Sequence, residues 1–319
     1  MGLLGALPAR FRRERVLIVG CGDVGQRAAA VLGGGRRMTL LALITSPDRR
    51  GALRAQGITP LVGNLDEPQT LARLAGLATR VLHLAPPPSG DQAGRFDPRT
   101  RALVRVLLRR SLSRTLVYGS TSGVYGNQQG RWVSETTPVQ PSTPRAWRRV
   151  DAEASVHWLG RASGVRTSAL RIPGIYANDR DNGTPRARLA RGTPVLCEAD
   201  DVYTNHIQAD DLARACALAL WRARPQRNVN VCDDTDLKMG DYFDFAADLY
   251  QLPRPPRVSR EAAGDQLSPM LLSFMSESRR LHNQRMTTEL GLRLRYPTVR
   301  EGLAVQAEAG DSVASNHAV

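Results

Sequence analysis

Short apolar runs alternate along the chain with amphipathic stretches. Residues 15–20 (RVLIVG) are almost continuously apolar and end in glycine, as a parallel strand buried on both faces does. The same pattern predicts strands over 39–45, 58–62, 80–85, 115–119 and 166–172. Apolar positions three and four apart predict helices over 24–32, 71–77, 100–110 and 146–159, the first stopped by Gly33, Gly34 and Gly35. In the last helix Trp147, Val150, Ala154 and Trp158 fall on one face. Strands and helices alternating at these intervals predict an α/β fold, a doubly wound (Rossmann) parallel sheet. After residue 176 the regularity weakens, which predicts a smaller C-terminal substrate or cap region over 177–204 and 233–304. The Rossmann domain then spans 15–176, with 205–232 returning to it. Residues 1–14 read as a flexible lead-in and the small, polar 305–319 as a disordered tail.

The run Gly20-Cys21-Gly22-Asp23-Val24-Gly25 places GxGxxG between the first strand and the first helix. That context gives the motif its meaning: a tight turn, close approach of backbone to a pyrophosphate, and a helix N-terminus with free N–H groups. Asp23 has the wrong sign for a pyrophosphate and is expected to face solvent or cap the helix. An acid at the end of the second strand would serve the ribose hydroxyls of NAD. Here Thr45 and Ser46 occupy that end, followed by Arg49 and Arg50. Arginine suits the 2′-phosphate of NADP, so NADP is expected over NAD, the alternative being solvated arginines with Asp48 serving NAD.

Composition sharpens this picture in two places. The 319 residues carry 44 Lys+Arg and 30 Asp+Glu, a formal charge of +14, and Lys238 is the one lysine. Such a charge raises the question of nucleic acid. The arginines, however, are scattered singly and in pairs and aromatic residues make up only 5%, so no charged face with interleaved stacking rings is indicated and no specific nucleic-acid partner is expected. No apolar run approaches the roughly 20 residues that span a bilayer. Cys21, Cys197, Cys216 and Cys232 show no metal-ligand spacing, so no metal is expected and the thiols read as free. With an N-terminal apolar stretch too short for a secretory leader, the expected location is cytoplasmic.

Several segments resemble one known family. GCGDVG, VLHLAPPP (81–88), GSTSGVYG (119–126), LRIPGIYA (170–177) and NHIQADDLARA (205–215) are similar to the extended short-chain dehydrogenase/reductase superfamily, the NAD-dependent epimerase/dehydratase group, over residues 15–304. The segment 273–286 resembles its atypical members. The resemblance implies that Thr121 is the active-site hydroxyl. It implies that Asn64 and Leu65 meet the adenine and that Leu84, Ala85 and Pro86 line the dinucleotide. It also implies a homodimer through the 100–110 and 146–159 helices.

One departure is chemical. With Glu153 fixing the register, the family's Tyr-x-x-x-Lys pair falls on Arg145 and Arg149. Asp234 stands four residues before Lys238, so no Tyr-x-x-x-Lys exists in the chain. Arginine stays protonated and cannot shuttle protons at neutral pH. Arg149 could still hold ribose hydroxyls and Arg145 could clamp a carboxylate or phosphate, which points to a small, anionic substrate. Tyr176, after the sixth strand, becomes the candidate proton donor, with Tyr203 and His206 behind it. Each also fits a purely structural place. Arg279 and Arg280 could close over an anion, and Asp210 and Asp211 are expected to cap a helix packing Leu212, Ala215 and Leu218. Two functions follow. One is an NAD(P)-dependent oxidoreductase, epimerase or dehydratase acting on an alcohol, aldehyde or sugar-type carbonyl with a non-standard proton donor. The other is a non-catalytic NAD(P)-binding sensor.

Overall fold

Seven parallel strands form the sheet that carries the molecule: β1 (Glu14–Val19), β2 (Met38–Ile44), β3 (Ile58–Val62), β4 (Arg80–His83), β5 (Thr115–Thr121), β6 (Arg166–Ile172) and β7 (Arg227–Asn230). The computed structural model describes residues 14–33, 38–90, 94–180 and 182–304. Residues 1–13 of the expected lead-in, Gly34, Gly35 and the expected tail lie outside the described residues, and Glu14 already belongs to β1. The strand order is β7-β6-β5-β4-β1-β2-β3. The chain therefore winds outward from β1 in both directions, and the crevice lies at the carboxyl ends of β1 and β4.

Each face is covered by helices because the strands are apolar on both sides. On one face Val16, Ile18 and Leu82 pack against α1 (Asp23–Leu32) and the late helix Ala209–Arg222. On the other Leu17, Val19 and Leu116 pack against α2 (Pro98–Leu107) and α3 (Pro144–Ser163). Local chemistry sets the bounds of α3. Thr143 caps its first turn by accepting from Ala146 N, Pro144 opens it, and Gly164, at φ 74°, ends it. A smaller core of Tyr176, Leu189, Val195, Phe243 and Val299 holds the C-terminal region together. Short strand pairs fasten that region to the sheet's edge, Gly174–Tyr176 with His206–Gln208 and Trp132–Val133 with Arg280–Leu281.

The structure departs from expectation in four elements. The expected helix over 71–77 is a tight 3-10 turn, Pro68–Leu74. The edge strand β7, RNVN, was too short and polar to stand out. Of the Trp147/Val150/Ala154/Trp158 face of α3, Ala154 and Trp158 (51%) are exposed, Trp147 is half-buried and Val150 packs beside Val124 and Tyr125, while Ala152, Val156 and Leu159 form the buried stripe. Buried Arg148 and Glu153 break the inward stripe, so the outward one looked more apolar. The late helix is capped by Gln208, whose side chain accepts from Asp210 N and Asp211 N. Asp211, fully buried, instead accepts from Arg295 N (2.8 Å) and Tyr296 N (3.0 Å), tying the C-terminal segment to this helix. Leu212 and Ala215 are buried there as expected. All four cysteines are free. Among the described residues no helix is long and apolar enough to cross a membrane.

Candidate functional site

The three glycines of the turn do three different jobs. Gly20 sits at φ +87°, and a Cβ there would lie within 2.6 Å of Ala85 Cα, so the turn is pressed against the end of β4. Leu84 N and Ala85 N donate to Val19 O at 2.7 and 3.0 Å and fix that contact. At Gly25 a Cβ would meet Gly20 O at 2.9 Å and Ile18 Cγ2 at 3.3 Å, so α1 lies directly on β1. Gly22 meets nothing within 4 Å. It is also the uncapped first position before α1, and it fronts open space beside free helix N–H groups, the arrangement that fits a dinucleotide pyrophosphate. Val24 packs partly buried against the core.

Asp23 does not cap the helix and is not left to solvent. Its carboxylate pairs with Arg27 at 2.8 Å and with Arg180 at 3.3 Å, and Arg27 also holds Asp179 (2.7 Å) and Asp210 (2.6 Å). The wrong-signed charge beside the turn is thereby matched.

On the adenine side, Thr45 is exposed just past β2, and Ser46 caps the turn Pro47–Arg49 by accepting from Asp48 N. Arg49 Nη2 donates to Cys21 O at 2.7 Å, which holds its guanidinium at the glycine-rich turn. Arg50, exposed, opens the next short helix. The Asn64 side chain closes its own loop, accepting from Asp66 N (3.0 Å) and donating to Glu67 Oε1 (3.0 Å). Leu65 is buried, Leu84 and Ala85 are half-buried, and Pro86 is exposed with its carbonyl accepting from Arg99 at 3.1 Å.

Beyond the end of β5 a cavity of about 680 Å³ opens between the sheet and the C-terminal region. Thr121, Arg145, Arg149 and Tyr176 all line it, so the structure brings together the four residues singled out as catalytic. Thr121 Oγ1 accepts from Gly123 N at 3.2 Å. Arg149 Nη1 donates to Gly119 O (2.7 Å) and Tyr118 Oη (3.0 Å), anchoring it to β5. Arg145 lies 4.8 Å over the Phe274 ring, and burial lowers its pKa. Tyr176 contributes a wall: its hydroxyl donates to Thr298 O at 3.3 Å and abuts Gly302, neither of which lines the cavity. Burial raises its pKa well above the ordinary phenol value.

Further groups surround the site, and among them His83, Arg180, Arg188, Tyr242 and Phe243 carried no sequence signal. Beneath Arg149 and Tyr118 lies a buried chain in which His83 Nε2 meets Thr100 Oγ1 at 2.8 Å and Thr100 donates to Asp97 at 2.6 Å. Burial and the nearby Arg149 push His83 down to about 3, so it is neutral. Glu153 accepts from Ser120 (2.6 Å) and from Arg171 (2.8 Å) in a fully interior ion pair. Arg180, Arg188, Tyr242 and Phe243 complete the cavity from segments whose periodicity had faded. His206 lines it too, its ring 4.3 Å from that of Tyr242, and burial lowers it to about 4. Arg279 pairs with Glu277 at 2.7 Å, whereas Arg280 is held between Trp132 and Tyr203. Among the described residues no group of His, Cys, Asp or Glu could hold a metal ion.

A family model described as the NAD dependent epimerase/dehydratase family matches residues 16–232. Among solved structures, a functionally unknown conserved protein from Silicibacter pomeroyi is 29% identical, covering 93% of this chain and 99% of its own, with a TM-score of 0.75. The UDP-glucose 4-epimerase of Thermotoga maritima, solved with UDP-glucose, is 16% identical over 94% of this chain and 99% of its own, at a TM-score of 0.74. The UDP-glucuronic acid 4-epimerase of Bacillus cereus, in complex with NAD, is 14% identical over 93% and 99%, at 0.72. At these last two identities the likeness is one of fold. No curated protein matches the sequence.

Proposed function

The chain belongs to the NAD dependent epimerase/dehydratase family, and from that premise we propose that it is an oxidoreductase, epimerase or dehydratase acting on an alcohol or carbonyl carbon of a small molecule held in the cavity. The observation that carries the reading is the placement of Thr121, Arg145 and Arg149 in one cavity at the carboxyl edge of a sheet whose glycine-rich turn has the room and the free N–H groups for a pyrophosphate. Gly20, Gly22 and Gly25 would hold the dinucleotide, and hydride chemistry is what it supplies when bound. Thr121 hydrogen-bonds the substrate oxygen. Arg149 stands where the family's lysine stands and fixes the floor at Gly119. Arg145 takes an anionic group of the substrate. With the Tyr176 hydroxyl turned toward Thr298, the proton moves through the cap side of the cavity by way of His206, whose Nδ1 has no hydrogen-bond partner among the described residues. Preference for NADP over NAD rests on Arg49, held at the turn by Cys21 O. Two copies pair through the outward face of α3, which carries the exposed Trp158.

A second reading, a dinucleotide-binding sensor without turnover, draws on the engaged hydroxyl of Tyr176 and on Arg149, whose bonds go to β5. One experiment separates the two: titration of the protein with NADPH and NADH by nicotinamide fluorescence, followed by a carbonyl and sugar-nucleotide screen. Tight NADPH binding with cofactor oxidation supports the enzyme and the Arg49 assignment. Binding without turnover over the whole screen supports the sensor. Binding of neither cofactor removes both.

A further inference from the structure

The cavity holds more hydrogen-bonding capacity than the protein itself uses. Among the described residues, thirteen buried side-chain polar atoms lack a hydrogen-bond partner, and five of them belong to residues lining this one cavity: Arg188 Nε and Nη2, Thr204 Oγ1, His206 Nδ1 and Arg279 Nε. Buried polar groups are nearly always paired, so such a concentration calls for an explanation. Charge points the same way. Among the described residues five arginines line the cavity against one carboxylate, Glu277, which is already bound by Arg279 and by Ser142 Oγ, each at 2.7 Å. Arg180 has Asp23. Among the described residues Arg188 has no carboxylate: its charged neighbour is Arg191, of like sign, and burial lowers its pKa. Its guanidinium lies 4.3 Å over the Phe243 ring, which fixes its plane.

The two unpartnered nitrogens of Arg188 are the ones on the side of the guanidinium that presents two parallel N–H bonds. That pair matches two oxygens of one oxyanion. Around it, Phe243 meets Tyr242 edge to face at 5.7 Å, and Tyr242 packs on His206, which is 7% exposed and has Nδ1 open. The cap end of the cavity is thus rich in donors and poor in acceptors. We propose that Arg188, with His206 across the Tyr242 ring, forms an oxyanion subsite that grips a phosphoryl or carboxylate group of the substrate at the end remote from Thr121. The proposal rests on the reading of the cavity as the substrate site and adds the residue that selects an anion there. It also explains why a guanidinium is kept desolvated without a counter-charge: the ligand supplies it.

The test uses the full chain, with inorganic phosphate and malonate as separate probes at constant ionic strength, chloride as the control, and thermal unfolding as the readout. Either probe at a hundredfold excess over its Kd is expected to raise the Tm of the wild type by about 5 °C. A response to phosphate alone assigns a phosphoryl ligand, and a response to malonate alone assigns a carboxylate. R188M and R188Q are expected to lose the response while unfolding, without anion, at or above the wild-type temperature, because an uncompensated charge has gone. R186M, altered at an arginine stacked on Tyr250 outside the cavity, is expected to keep the response. No anion response in the wild type, or an equal response in R188M and R188Q, overturns the proposal. Titration of the same proteins with NADPH and NADH reports separately on the cofactor site: unchanged cofactor binding in R188M with a lost anion response supports the subsite, and failure of the wild type to bind either cofactor strikes the proposed function and leaves the anion result standing.

Discussion

The two ends of the site treat charge in opposite ways. At the glycine-rich turn the acids and bases are matched: Asp23 has Arg27 and Arg180, Arg27 has Asp179 and Asp210, and Arg49 has a backbone carbonyl. In the cavity Arg188 is unmatched among the described residues, and Arg145 has an aromatic ring where a carboxylate could be. The turn binds by backbone geometry, so its side chains can be neutralised among themselves without loss. The cavity has to recognise a molecule with side chains, and a side chain already satisfied by the protein has less to offer a ligand.

The largest expected effect lies at the matched extreme. Glu153 is the carboxylate paired with Arg171 in the interior, with side-chain exposures of 7% and 4%, while the Glu135 carbonyl accepts from the same guanidinium at 3.5 Å. Glu153→Ala leaves a buried guanidinium without its counter-charge and the Ser120 hydroxyl without its acceptor. The expected loss is about 3–5 kcal/mol of unfolding free energy, read by urea titration. A loss below about 1 kcal/mol would show that the interior pair is relieved by solvent and that matching is not what the fold requires there.

Next come the glycines. Gly20→Ala pays both for φ +87° and for the clash with Ala85, and is expected to lower stability by about 2–4 kcal/mol. Gly22→Ala meets no protein atom within 4 Å, so the Tm should hold within about 2 °C while NADH affinity falls at least about tenfold, since the methyl group enters the space meant for the pyrophosphate. Unchanged affinity would mean that the open space at Gly22 is not where the dinucleotide lies.

This contrast also explains what the sequence could show. A backbone site is written in consecutive residues: GxGxxG after an apolar run located the turn, and six of the seven strands followed from the same short-range pattern. Thr121, Arg145 and Arg149 lay close to strand β5 and the start of α3, and they do converge. The other half of the cavity is built from Arg180, Arg188, His206, Tyr242 and Arg279, which sit on turns, helices and a short strand with no shared periodicity. Only packing brings them together. Asp211 misled for a related reason: at a helix start an aspartate reads as a cap, yet this one is buried and serves the backbone of residues 295 and 296, more than eighty positions later.

Buried titratable groups give the comparison a pH dependence. His83 and His206, at about 3 and about 4, stay neutral in the fold while the unfolded chain binds protons below about 6.5. Below that pH the unfolded state holds more protons, so these two groups make stability fall as pH drops from 6.5 toward 4. Asp233, raised by burial to about 8, does the opposite. Between roughly pH 4 and 8 the fold keeps its proton while the unfolded chain has lost it, so stability falls as pH rises. Together the three place a stability maximum near pH 6.5, with a decline of about 1.4 kcal/mol per pH unit above it. Urea unfolding at pH 5.5, 6.5 and 7.5 measures this, and Asp233→Asn is expected to flatten the alkaline side and to steepen the acid side, where Asp233 offsets one of the two histidines. A wild-type curve that keeps rising to pH 7.5 would show that Asp233 is ionised in the fold.

The smallest effect is the sharpest probe of charge matching. Asp23 stands beside the pyrophosphate position, and an unmatched carboxylate there would repel the dinucleotide by an amount that salt screens. Because Arg27 and Arg180 already neutralise it, Asp23→Asn is expected to change NADH affinity by less than about threefold at low salt. It should cost about 0.5–1 kcal/mol of stability, since Arg27 keeps Asp179 and Asp210. A gain of tenfold or more that disappears at high salt would show Asp23 to be an unmatched charge, and the difference between the two ends of the site would then be one of degree. Against that, a near-silent Asp23→Asn beside an Arg188 variant that loses its anion response would separate the two ends by one criterion: whether the protein or the ligand completes the charge.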